Sequence, residues 1–171
     1  MARWKKIGAW ILALLLIFLL FMTWYKQTYS MKAAKPFEVN SPSSKDHILI
    51  ATQGSKFKDS VVYEVIDELK TKSIYIRVID VSDLTTVKEG DWTAIIILHT
   101  WENWKPQKDA KLFIQQIKDK QKLIVLATSG QGNYTIEDID GITSASKLTD
   151  VSDKAKELTE RVTKLLTAEN N

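Results

Sequence analysis

From residue 46 onward two hydrophobic patterns alternate along the chain. HILIAT (47–52), IYIRVID (74–80), AIIILHT (94–100) and KLIVLAT (122–128) are short, β-branched and almost continuously apolar, as strands buried on both faces are. Between them the period lengthens. Val62, Val65, Ile66 and Leu69 recur at i, i+3, i+4 and i+7, and Ala110, Phe113, Ile114 and Ile117 repeat that spacing behind Pro106, so each segment predicts an amphipathic helix. A last helix places Ala155, Leu158, Val162, Leu165 and Leu166 on one side, with Ser152 as its N-cap. This β-α-β-α order predicts an α/β domain over residues 46–168: a doubly wound parallel sheet of four to five strands, helices on both faces and right-handed crossovers. Two connections are thin. VSDLTTVKEGDW has room for a short helix at most, and SGQGNYTIEDIDG, ahead of a fifth strand ITSAS, barely meets the length of a parallel crossover.

The N-terminal part is patterned differently. After a short tail, residues 1–6, the stretch from Ile7 to Trp24 is uncharged over eighteen residues, which at the helical rise covers about 27 Å, nearly a hydrocarbon core. Trp4, Trp10, Trp24 and Tyr25 lie near its ends, where amphipathic rings favour the headgroup layer. The run exceeds the apolar core of a cleaved signal peptide and no A-x-A-like site follows it, so a transmembrane helix over 7–24 is expected. Residues 25–45, with two prolines, several serines and no apolar period, read as a linker. Arg3, Lys5 and Lys6 ahead of the span nearly balance Lys26, Lys32 and Lys35 behind it. A short leading tail stays inside while a long following domain is translocated largely regardless of charge. The expectation is a single-pass protein of the cell membrane with its soluble domain extracytoplasmic.

Charge then narrows the partners. Six of the 24 basic residues precede residue 36, leaving 18 against 21 acidic ones, a balance of −3, from there on. The basic character belongs to the membrane flank, and nucleic acid, which needs a clustered basic face, is not an expected partner. With no cysteine, disulfides, thiolate metal sites and thiol catalysis are excluded.

In doubly wound sheets ligands bind beyond the carboxyl ends of the strands. TQGSKFKDS, DVSD, HTWENWKP and TSGQGNY should meet there. They contain no G-x-x-x-x-G-K-[ST] loop, and the only G-x-G, Gly130 and Gly132, follows the fourth strand rather than the first. A receiver-type phosphoacceptor would need acidic strand ends where Ala51, Thr52, His99 and Thr100 stand. Two distant histidines without thiols make no zinc site. His99 beside Glu102 can be imagined as an acid/base pair or as a structural histidine, and without a visible nucleophile no catalytic residue is assigned.

The segments that remain resemble flavodoxins over about residues 46 to 168. In that family a hydroxyl-rich turn after the first strand wraps the FMN phosphate at a helix N-terminus, and aromatic residues from the loops after the third and fourth strands sandwich the flavin. The resemblance implies Thr52, Gln53, Gly54 and Ser55, with Lys56 beside them, for the phosphate, and Trp101, Trp104 and Tyr134, with Gly130 in the last loop, for the ring. The phosphate turn departs from T-x-T-G-N-T at Lys56, Phe57 and Lys58. The bland alternatives are a βα turn capped by Ser55, and buried or partner-binding aromatics. DGITSAS (140–146) resembles a motif that receives FMN covalently on its last hydroxyl, here Ser146, although Ser144 replaces its glycine. Taken together, the apolar span and these motifs look like small bacterial membrane-anchored flavodoxin-like proteins. That resemblance implies an FMN-binding electron carrier serving a membrane partner. The alternative is a flavin-free module that binds a membrane or envelope protein, and either would be a carrier or binder rather than a substrate-turning enzyme.

Overall fold

The computed structural model describes residues 2–29, 31–136 and 139–168, and the chain forms two compact units, Met1–Met31 and Lys32–Asn171. In the first, α1 (Ala2–Tyr29) is a single helix whose stretch from Arg3 to Tyr25 is long and apolar enough to cross a membrane. It includes the expected tail and the first residues of the expected linker, since nothing between Ile7 and Tyr29 is a proline or a capping glycine that would stop it.

In the second unit β1 (Lys32–Ala33), β2 (Phe37–Val39), β3 (Asp46–Gly54), α2 (Lys56–Leu69), β4 (Ile74–Asp80), β5 (Ala94–Glu102), β6 (Lys105–Pro106), α3 (Lys108–Gln116), β7 (Leu123–Thr128), β8 (Ile142–Ser144) and α4 (Val151–Ala168) follow in order. The sheet runs β2-β4-β3-β5-β7-β8. Strands β4, β3, β5, β7 and β8 are parallel and stand in the spatial order second, first, third, fourth, fifth of these along the chain. The four apolar runs and ITSAS are those strands. The strand order reverses between β3 and β5, which is where such sheets open a crevice.

Alternation sorts each strand's side chains onto two cores. Ile48, Ile50, Ile96, Leu98, Ile124 and Leu126 pack under α2 and α4, while Leu49, Ala51, Ile95, Ile97 and Val125 pack under α3 and a 3-10 segment, Val81–Thr86, that joins β4 to β5. That segment is the short helix the thin connection allows. The other thin connection includes Glu137 and Asp138, which lie outside the described residues. α4 begins one residue before its expected cap, so Ser152 stands inside the helix, where its hydroxyl reaches Glu64 at 3.3 Å.

The expected linker is corrected most. Its residues supply β1, antiparallel to the end of β3 (Lys32 opposite Gly54, Ala33 opposite Gln53), and β2, antiparallel to β4. Between them the Ala34 amide donates to Asp80 at 2.7 Å. An open β4 edge would leave a row of unpaired amides and carbonyls; β2 covers it, and needs no apolar period of its own to do so. Asn40, at φ 65°, then donates to the carbonyls of Lys70, Lys72 and Ile74, fastening the turn behind α2.

Candidate functional site

The four segments expected at the strand ends do meet beyond β3, β5 and β7, but not all of their side chains point outward. Thr52 and Gln53 are buried. Gln53 turns along the sheet, its Oε1 accepting the Thr100 amide at 2.7 Å. The main chain of Gln53 and Gly54 is paired to β1, so closely that a Cβ on Gly54 would lie 2.9 Å from the Lys32 carbonyl oxygen. Ser55 caps α2, accepting the Lys58 amide at 3.2 Å. Lys56 is exposed.

Lys58 does what the sequence pattern conceals. It stands four residues before Val62 on the buried stripe of α2 and is only 1% exposed. Its ammonium donates to the Thr100 hydroxyl at 2.6 Å. Thr100 and Thr128, opposite each other at the ends of β5 and β7, share a hydrogen bond of 2.9 Å, and Thr128 also donates to the His99 carbonyl at 3.3 Å. Ser144 continues this row on β8, opposite Thr128. Burial brings the Lys58 ammonium down to about 8, while Asp59 and Glu102 hold the proton on. A cation in the first turn also opposes the helix dipole.

On the other side of β5, His99 is fully buried, and among the described residues neither its ring nitrogens nor the buried Trp101 Nε1 finds a hydrogen-bond partner. Burial pushes His99 down to about 4, the Thr100 backbone opposes that shift, and the charge of Lys58 adds to it. At neutral pH the ring is therefore uncharged, and Glu102 is exposed at the strand end.

The three aromatic residues separate into a pair and a single. Trp101 and Tyr134 rest on each other, centroids 5.2 Å apart and planes 34° from parallel. Trp104 is 80% exposed at the tip of the β5–β6 hairpin. Asn103 and Trp104, at φ 51° and 58°, make a turn that is left-handed at both central residues, the geometry for which Asn-Gly is the favoured pair. A bulky ring there is held against backbone preference. Gly130, at the start of the following loop, is exposed, with nothing within 4 Å of where a Cβ would stand. Ser146 is exposed just beyond β8 at φ 58°.

These positions test the fit of a flavin. A flat ring between two others needs van der Waals contact on both faces, about 7 Å or more between their planes; the Trp101–Tyr134 pair leaves no such gap. A phosphate at the α2 start would meet a turn whose glycine main chain is already paired and whose glutamine is already engaged. As arranged, Trp101 and Tyr134 do not stand as the two faces of a flavin sandwich. Among the described residues no group of three or more His, Asp and Glu side chains is placed to hold a metal ion.

Lys58, Thr100 and Thr128 are the residues that reading the motifs overlooked. Two signals were present: a lysine at a core position of an amphipathic period, and two apolar strands each ending on threonine. Compared with known proteins, the chain matches no protein-family model and no curated protein.

Proposed function

We propose that the chain is a single-pass membrane protein displaying a flavodoxin-like domain on the extracytoplasmic side, and that this domain is a flavin-free module that binds a membrane or envelope protein. The strand order second, first, third, fourth, fifth supports the flavodoxin-like assignment. The apolar helix supports the anchor. The observation that carries the flavin-free reading is the closed contact between Trp101 and Tyr134, which takes up the ring surface a flavin would use. Trp104 is the natural contact residue, because an exposed tryptophan in a left-handed turn contributes nothing to the core, and tryptophan is among the residues that most often dominate interfaces.

The test is direct. Full-length protein in detergent, saturated with FMN and passed through gel filtration, is expected to elute colourless while the flavin emerges separately with its fluorescence unquenched. A yellow, quenched protein peak would replace this reading with the electron carrier, in which Thr52 to Ser55 would hold the phosphate and Trp101, Trp104 and Tyr134 would move to enclose the ring.

A further inference from the structure

We propose that Thr100 and Lys58 form a nucleophile and general-base pair that accepts an acyl group from an ester at the carboxyl edge of the sheet. The geometry carries this: a hydroxyl 2.6 Å from a lysine nitrogen, near the end of a strand that borders the point where the strand order reverses, on a half-buried residue. Such a hydroxyl is a weak nucleophile until a neighbouring base takes its proton.

The hydroxyl row reports which way the protons run. With Lys58 charged, it donates to Thr100, Thr100 donates to Thr128, and Thr128 to the His99 carbonyl. With Lys58 neutral the first bond reverses, and the Thr100 proton points at the amine. Burial lowers the Lys58 ammonium to about 8, and among the described residues Asp59 on its own helix and Glu102 on β5 favour the charged form, while His99 is neutral. The reactive form is thus populated near neutral pH. Gln53 fixes the Thr100 backbone through its amide.

The step balances as follows. The Thr100 Oγ1–H proton passes to the Lys58 amine as Oγ1 bonds to the ester carbonyl carbon. The ester C–O bond breaks, and the alkoxide leaves with the proton that Lys58 carried. Water then cleaves the acyl-threonine, giving one proton to Lys58 and, through it, to the departing Thr100 oxygen. No redox partner is needed.

An alkyl fluorophosphonate tests this independently of flavin, since its P–F bond is replaced by a stable P–Oγ1 bond with loss of fluoride. Full-length protein in detergent should gain one phosphonyl group, mapped to the Thr100 peptide, at a rate that rises from pH 6, is half-maximal at about 8 and levels off beyond it. Lys58→Met should slow labelling by about 100-fold or more, the usual worth of a general base, and Thr100→Ser should still be labelled. Absence of label on Thr100, a rate indifferent to pH, or a Lys58→Met protein that reacts as fast as the native chain would overturn the pair. The pH profile and Thr100→Ser decide the matter even if Lys58→Met does not fold.

Discussion

His99 is the residue whose chemistry shows most directly in stability. Its ring is buried neutral and held at about 4, whereas in the unfolded chain a histidine titrates at about 6.5. Between those values the unfolded state binds the proton and the folded state does not, so folding stability must fall as pH drops through this window. Urea unfolding at pH 7, 5 and 4 should record a loss on the order of 3 kcal/mol. His99→Leu should remove that loss and, because it also deletes two buried nitrogens that have no hydrogen-bond partner among the described residues, should be close to neutral in stability at pH 7. A variant that kept the native slope would place the titration elsewhere.

Sequence reading went furthest with His99, which could be recognised as a strand-end histidine but not as a neutral one, because neutrality comes from burial on all sides. Lys58 is the opposite case. On an amphipathic helix lysine ordinarily marks the solvent face, and only its position four residues before Val62 betrays a core location. The inward turn of Gln53 had no signal at all, since it depends on the Thr100 amide on a different strand.

At the scale of elements, the inner strands were legible because a strand buried on both faces must be apolar at nearly every position. β1 and β2 were not, because a strand of two or three residues at an edge is specified by the partner it finds rather than by its own period. β1 has both residues exposed and β2 alternates half-buried with exposed. The close approach of β1 depends on a glycine opposite Lys32. Gly54→Ala would push a methyl carbon to 2.9 Å from the Lys32 carbonyl oxygen. The expected result is a loss of ~1 kcal/mol, with faster hydrogen exchange at the amides of residues 32–34 and unchanged exchange in β5 and β7. Uniform acceleration across the sheet would mean that β1 is not a separable element.

For the whole molecule, the two units make opposite demands on solvent. The large side chains of α1 described in the structure are 41% or more exposed within it, a surface that water does not tolerate, whereas both cores of the second unit are built from residues 37 onward. Removing residues 2–31 should therefore leave a cooperatively folding domain that needs no detergent, with a thermal midpoint within a few degrees of the intact chain. The intact chain should stay with membranes through high salt and be released by detergent. Aggregation of the truncated chain would show that the anchor supports the fold as well as holding it.

The pairing of β1 and β2 also sets how the domain meets mechanical tension. A pull transmitted through residue 31 passes along the two residues of β1, the hydrogen bond from Ala34 to Asp80 and the three residues of β2 before it loads the parallel core. The N-terminal strands are thus a graded fuse. Under load the chain pays out in short steps, and the first step frees the main chain of Gln53 and Gly54 at the end of the sheet that carries Thr100.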